Sequence, residues 1–336
     1  MIRLVENTVR DGSYLVDFQF SLAQSNNICA GLDALGFEFI EVGHGLGLGA
    51  SKKLPDMKAC ESDCDYILGA KSVATNSKIG SFFIPGIGEI DDLAAAIDAG
   101  LDFVRIGANI DRFDEMLSAA NFAKKKGLWV GLNLMKSYGV KSYEFVQIAK
   151  KIDSWGLSDA IYLVDSAGCM TPDEVFSYIA TTRDFITTPM GFHGHNNLSL
   201  AVANSLAAAK AGATYIDTSI LGMGRSAGNA QTEILTHLLA KEGLIANSFD
   251  QYQLYTFANK VVKPLMPVEQ GVDGESIHVG VSKFHTSYMP LAKEVAAEFE
   301  LDVMRLIKEV SDINCLNPNR KLFVDIANTH LAKNKN

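Results

Sequence analysis

The chain predicts a (β/α)8 TIM barrel carrying a helical extension, on three observations. Eight short apolar runs each lead into glycine or polar punctuation, most of them followed by helical spacing. Glycine recurs just past several predicted helices. Chemically unusual residues gather where the apolar runs end. Strand–helix units spread over residues 1–245 match the usual size of a closed barrel, whereas an open doubly wound sheet seldom needs eight.

The first strand is read at Ile2–Asn7, within the apolar run Ile2–Val9, and its helix at Leu22–Leu35. Phe37–Val42 is the second strand, with a helix around Leu54–Ile67. Lys78–Ile84 is the third and leads into a helix over Ile90–Ala99; Phe103–Ile106 is the fourth. Leu128–Leu134, Ala160–Val164, Met190–His195 and Tyr215–Ser219 complete the set, with helices at Ser142–Trp155, Pro172–Ile186, Leu198–Ala211 and Ala230–Lys241. Gly36, Gly100, Gly127, Gly156 and Gly212 each sit between a helix and the next strand, where a left-handed cap turns the chain back.

Beyond Lys241 the pattern changes. Phe249–Val262 reads as a helix stopped by Pro264, followed by the glycine-bracketed link Gly271–Gly274, amphipathic segments at Met289–Phe299 and Val303–Val310, and a helix at Arg320–Ala332 running into a Lys- and Asn-rich tail. Residues 246–336 are therefore expected to pack on the barrel or on a partner subunit rather than stand alone.

The composition is 48% hydrophobic and 21% charged with a formal net charge of −9, which leaves no basic surface for nucleic acid. No long apolar span and no charged-then-apolar leader is found, so membrane insertion and secretion are not expected and the cytoplasm is the default. The five cysteines form an odd set, and Cys60-x-x-x-Cys64 lacks the second pair of a zinc site, so they read mostly as free buried thiols.

The most informative motif is His193-Gly194-His195 at the end of the seventh strand. Residues two apart on a strand share a face, so both imidazoles can reach one cation, and Asp11 in Arg10-Asp11-Gly12 offers a hard third ligand. In a barrel all the strand ends converge on one face. That face would also collect Glu41-Val42-Gly43-His44, Arg105-Ile106-Gly107, Asn133, Asp165-Ser166 and Asp217.

Arg10-Asp11-Gly12, Glu41-Val42-Gly43-His44-Gly45, Asp165-Ser166-Ala167-Gly168, His193-Gly194-His195-Asn196-Asn197 and Gly222-Met223-Gly224-Arg225-Ser226-Ala227-Gly228-Asn229-Ala230 occur in that order. Together they resemble the metal-dependent aldolases of 4-hydroxy-2-oxovalerate, within the wider group of 3-hydroxy-3-methylglutaryl-CoA lyases and isopropylmalate synthases. The resemblance spans nearly the whole chain and includes Val281-Ser282-Lys283-Phe284.

It implies a divalent cation, Mn²⁺ or Mg²⁺ foremost with Zn²⁺ as an alternative, on Asp11, His193 and His195, with Asn229 as a further candidate ligand. It implies an activity that joins or cleaves a 2-oxo acid such as pyruvate and an aldehyde through an enolate. Arg10 would bind substrate and stabilise the developing charge; Ser166 would bind the 2-oxo acid, Asp165 would sit at the substrate site and orient Arg10 or a metal-bound water, and His44 would contact substrate or metal-bound water. Helix capping is the competing role for Asn229, and a salt bridge to a barrel carboxylate the competing role for Arg10.

Two departures stand out. The aldolases carry a histidine base three residues after the metal aspartate, and this chain has Tyr14 there; a tyrosine that they place ahead of the Ser-x-Phe stretch corresponds to Val281. Tyr14 is the candidate replacement base, although a phenol of pKa about 10 needs nearby positive charge to serve. A Claisen-type enzyme joining an acyl-CoA and a 2-oxo acid, and a noncatalytic metal-binding partner protein, are the alternative readings. A homo-oligomer formed through the C-terminal helices is expected. The aldehyde dehydrogenase that partners the resembled aldolases is only weakly implied, because the residues near the aldehyde differ.

Overall fold

The computed structural model describes residues 1–246 and 249–334. Eight parallel strands close into a barrel in sequence order: β1 Arg3–Glu6, β2 Phe39–Glu41, β3 Lys78–Phe83, β4 Phe103–Asn109, β5 Trp129–Met135, β6 Ala160–Asp165, β7 Met190–Gly194 and β8 Tyr215–Thr218. Closure is made by β8 against β1, with Arg3 opposite Tyr215 and Glu6 opposite Thr218. The five cap glycines adopt φ from +64° to +99°, the left-handed region that a Cβ penalises.

Several boundaries differ from expectation, each for a local reason. The helix expected over Leu54–Ile67 is broken into a one-turn helix Ala50–Lys53, a 3₁₀ turn Pro55–Met57 and the helix Asp63–Val73. Pro55 lacks an amide and restrains Leu54, and Ser62 restarts the helix by accepting from the Asp65 amide. β1 stops at Glu6, so Asp11 opens the 3₁₀ turn Asp11–Val16 instead of ending a strand. β4 runs on to Asn109 and is followed by the helix Leu117–Lys125, which the sequence reading did not place.

The barrel interior is built in tiers, because residues two apart on a strand face the same way. At the lower end Phe39, Phe103, Trp129 and Tyr215 pack edge to face or, for Phe39 on Trp129, tilted, with ring centroids 5.0 to 5.9 Å apart. One step up the same strands stand Glu41, Arg105 and Asp217, all fully or nearly fully buried. Gly131 makes room between the tiers: a Cβ there would come 3.0 Å from the Trp129 ring and 3.1 Å from the Arg105 stem. The strand faces that look outward join the surrounding helices in the main apolar core.

After the barrel, Gln251–Phe257 and the turn that follows bury Leu254, Phe257 and Val262 in that same core. The helices Gly274–Val281, Met289–Glu298, Val303–Ile313 and Arg320–Asn334 enclose a second cluster that includes Phe284, Val295, Leu306, Val310 and Phe323. This region leans on the barrel mouth: Asn109 donates to Asn317 at 2.7 Å, and Asn197 donates to the Ser276 carbonyl at 3.0 Å. The end of the Lys- and Asn-rich tail, residues 335–336, lies outside the described residues. All five cysteines are free, as expected, but only Cys29 is buried, and Cys60 is exposed. No helix among the described residues is long and apolar enough to cross a membrane.

Candidate active site

Asp11, His193 and His195 meet at the mouth, with one ligand atom from each lying within 4.8 Å of the others. His193 leaves the end of β7, and His195 projects to the same side one residue beyond it. The 3₁₀ turn after β1 carries Asp11 to them past β8, the strand between β1 and β7. All three are buried.

The hydrogen bonds around the imidazoles fix which nitrogens face inward. His193 Nδ1 pairs with the Asp217 carboxylate at 2.7 Å and His195 Nδ1 with the Gly228 carbonyl at 3.3 Å. Each Nδ1 therefore carries the proton, and each Nε2 presents a lone pair. These two Nε2 atoms are 3.5 Å apart, and His193 Nε2 is 4.0 Å from an Asp11 oxygen. Two lone pairs and a carboxylate turned on one another repel unless a cation lies between them. A carboxylate or carbonyl behind each ligating imidazole is also the arrangement that orients metal ligands. The donor set thus fits a divalent cation.

Electrostatics prepare the same groups. Burial would raise the Asp11 carboxyl, but Arg10 foremost, with the hydrogen bond from Asn229, holds it well below the usual carboxylate range. Burial and then Arg225 push His195 well below the usual histidine range, which keeps the ring neutral and its lone pair available. Asn229 donates to Asp11 at 2.5 Å and to the Met223 carbonyl at 3.2 Å, while its Oδ1 is buried with no partner. It does not cap the following helix, whose N-cap position is Gln231. An orphaned oxygen beside the triad is what a fourth donor would offer.

Arg10 is held on two sides. Its Nε donates to Glu41 at 2.7 Å and its Nη1 to Asp11 at 3.2 Å, so the salt bridge to a barrel carboxylate is real and coexists with a place on the cavity wall. Glu41 also accepts from Arg105 at 2.7 and 2.6 Å, and Arg105 reaches Asp217 at 2.5 Å. A continuous buried chain therefore runs from Arg10 through Glu41, Arg105 and Asp217 to His193. The sequence shows Glu41, Arg105 and Asp217 as polar strand ends, but their linkage is a product of the closed barrel.

Above the triad is a cavity of about 280 Å³, lined among others by Tyr14, Asn133, Lys136, Ser166, Arg225, His285 and Tyr288. Ser166 Oγ accepts from the Lys136 amide at 2.9 Å. Tyr14 lies against Gly45, where a Cβ would come 2.4 Å from its ring. Burial raises its phenol above the ordinary value although Arg225 and Arg10 pull the other way.

Two expected substrate contacts lie elsewhere. His44 stacks on Phe18 at 4.0 Å, its Nδ1 accepts from the Leu46 amide at 3.0 Å and its Nε2 meets the Met57 carbonyl at 2.6 Å. Both ring nitrogens are spent on backbone, and His44 does not line the cavity. Asp165 likewise faces its own loop, accepting from the Cys169 and Met170 amides at 3.0 and 2.9 Å; Arg10 is oriented by Glu41 instead.

Lys136, Arg225, His285 and Tyr288 have no assigned part in the sequence reading. His285 and Tyr288 follow directly on the Ser282-Lys283-Phe284 stretch, which is the signal that could have found them. Val281, which corresponds to the aldolases' tyrosine, is 59% exposed on the outside.

A closed parallel barrel with a carboxylate and two imidazoles converging at its mouth defines a divalent-metal barrel enzyme. The chain belongs to the HMGL-like family, whose profile matches residues 1–261. It is 38% identical to a 4-hydroxy-2-oxovalerate aldolase of Carboxydothermus hydrogenoformans over 97% of this chain and 96% of that one. It is 34% identical to a protein of the same name from Bacillus thuringiensis, over 99% of this chain and 97% of that one. Among solved structures, the N-terminal domain of a putative aldolase from Bacteroides vulgatus superposes with a TM-score of 0.75 at 24% identity, covering 89% of this chain and 98% of that one.

Proposed function

We propose that the protein is a divalent-metal aldolase that cleaves or forms a 4-hydroxy-2-oxo acid from pyruvate, or a related 2-oxo acid, and an aldehyde. The observation that carries the reading is the convergence of Asp11, His193 and His195, two Nε2 lone pairs facing each other at 3.5 Å, beside a cavity-lining arginine. Asp11, His193 and His195 hold the ion, with Asn229 Oδ1 as a fourth donor; Mn²⁺ and Mg²⁺ suit this mixed oxygen and nitrogen set, and Zn²⁺ fits it as well. When bound, the cation supplies Lewis acidity at the keto carbonyl of the 2-oxo acid.

The chain's own residues do the rest. Arg10, locked by Glu41 and Asp11, presents its guanidinium where the keto oxygen gathers negative charge as the carbon–carbon bond breaks. Ser166 lines the floor on which the oxo acid sits. Tyr14 stands over the bond to be cleaved; its phenolate accepts the C4 hydroxyl proton in cleavage, and its phenol returns it in condensation. The barrel of residues 1–245 is the catalytic unit, and residues 246–336 complete one cavity wall through His285 and Tyr288. Homo-oligomerisation through this region is supported by the exposure of Ile277, Val281 and Ile313. A cytoplasmic location is in keeping with the lack of any membrane-spanning helix among the described residues.

The test is proton exchange. With Mn²⁺ and pyruvate in D₂O, methyl exchange followed by NMR should require the metal and vanish in Arg10→Ala. Absence of exchange with every divalent ion tried would sink the reading. An absolute requirement for an acyl-CoA in product formation would replace it with a Claisen-type reaction.

A further inference from the structure

Two cations on the cavity wall have no carboxylate. Lys136 is 3% exposed, and its ammonium is held by the Leu316 carbonyl and, at 3.1 Å, by the Tyr288 hydroxyl. Arg225 donates to the Ser166 carbonyl at 2.7 Å and to Thr286 Oγ1. Every one of these acceptors is neutral, and neither cation forms an ion pair among the described residues. Asp111 acts on Lys136 only through space, its own carboxylate being engaged by Asn317 at 2.5 Å.

The contrast with the tier below is sharp. Arg10 and Arg105 are matched by Asp11, Glu41 and Asp217 in direct contact. On the aldolase reading, the remaining charge of a divalent ion held by Asp11 would be answered by the carboxylate of the 2-oxo acid. That leaves the buried Lys136 and the partly buried Arg225 without a counter-charge, which is unfavourable for the buried lysine above all.

His285 adds a third donor. Its Nδ1 accepts from the Ser287 amide at 3.2 Å and contacts Ser287 Oγ at 2.7 Å, so the neutral ring carries its proton on Nε2. Burial, Arg225 and Lys136 together hold it well below the usual histidine range, so it stays neutral. Nε2 has no partner among the described residues, and His285 lines the cavity. The acids that line the same cavity, Asp11 and Glu115, are paired with Arg10 and Arg112, so a lysine, an arginine and an imidazole N–H on one wall are left as the parts of an oxyanion site.

Building on the aldolase reading, we propose that Lys136, Arg225 and His285 bind a second anionic group of the substrate, so that the aldehyde half carries a carboxylate or a phosphate. The 4-hydroxy-2-oxo acid would then be anionic at both ends, one end on the metal and the other on the wall shared with the C-terminal region.

The test uses the full chain reconstituted with Mn²⁺, with pyruvate as donor and matched pairs of acceptors. Succinic semialdehyde against butanal reads a carboxylate; glyceraldehyde 3-phosphate against glyceraldehyde reads a phosphate. At least one charged acceptor should exceed its uncharged mate in kcat/KM by about tenfold or more, as charge-assisted hydrogen bonds predict. In K136M and in R225M that ratio should fall toward one. Native enzyme that favours the uncharged member of both pairs, or treats the members alike, overturns the proposal whether or not the variants fold. A ratio unchanged in both variants also overturns it. Pyruvate methyl exchange in D₂O separates the two levels: exchange without charge preference removes the anion site alone, and no exchange removes the aldolase reading with it.

Discussion

Phe103 and Arg105 stand two residues apart on β4 and point into the same barrel, yet they belong to regions held together by different forces. The lower tier of Phe39, Phe103, Trp129 and Tyr215 is an aromatic plug, stabilised by area removed from water and by edge-to-face packing. The tier above it is a buried ionic chain in which Glu41 bridges Arg10 and Arg105 and Asp217 bridges Arg105 and His193. A plug tolerates shape changes at a graded expense. A buried chain of charges fails when one member is lost, because its partners are left uncompensated in a dry interior. The barrel therefore places bulk where only stability is needed and charge where side chains must be aimed.

The sharpest way to break this comparison is to exchange the character of one position in each tier. Arg105→Met should destabilise by about 3–5 kcal/mol, because Glu41 and Asp217 lose their shared cation. It should also weaken metal binding by releasing His193. Phe103→Ala should cost about as much stability, roughly 3–5 kcal/mol, but leave metal affinity in the folded fraction unchanged. Urea unfolding and Mn²⁺ titration of both variants decide the matter; equal metal affinity in the two would show that the ionic tier is only structural.

A gentler probe acts within the ionic tier. Asp217→Asn keeps the shape and one acceptor for Arg105 but removes the charge behind His193; some stability should be lost, and metal affinity of the folded protein should fall about 10- to 100-fold. Binding of Mn²⁺ by calorimetry reads this directly, and an unchanged affinity would detach Asp217 from ligand orientation.

The pH profile tests Tyr14. Burial holds its phenol above the ordinary value, so the phenolate is a minor species at neutral pH and grows as pH rises. The kcat for cleavage should therefore climb by up to about tenfold per pH unit on the alkaline side, with no plateau below the usual tyrosine range, and Tyr14→Phe should flatten the climb. A profile that is flat from neutral upward in the native enzyme would remove Tyr14 as the base.

The smallest effect is expected at His44. Both of its nitrogens serve backbone groups, so His44→Gln should cost about 1 kcal/mol of stability and change kcat/KM less than threefold. A loss of activity larger than the loss of folded protein would restore His44 to the substrate site.

Much of the architecture was legible before any coordinates. The period of strands and helices and the five cap glycines announced a closed barrel, because helix caps and strand alternation are local properties that neighbouring residues specify. The His-x-His spacing and the Arg-Asp pair announced three groups that do converge. What failed to read were side-chain directions. His44 follows a strand as Asp11 does and Asp165 ends one, but loop amides and the Met57 carbonyl capture them.

By itself, then, the sequence determined the barrel, its closure glycines and the identity of the three converging groups, since spacing and local conformation reside in contiguous residues. Only the tertiary structure decided that Glu41, Arg105 and Asp217 form one chain beneath them and that Lys136, Arg225 and His285 share a wall. Those partners lie tens to hundreds of residues apart, and their pairing depends on which faces meet when the ring of strands closes and the last helices settle over its mouth. No local pattern carries that information, because ionic pairing in a buried interior is set by distance in space.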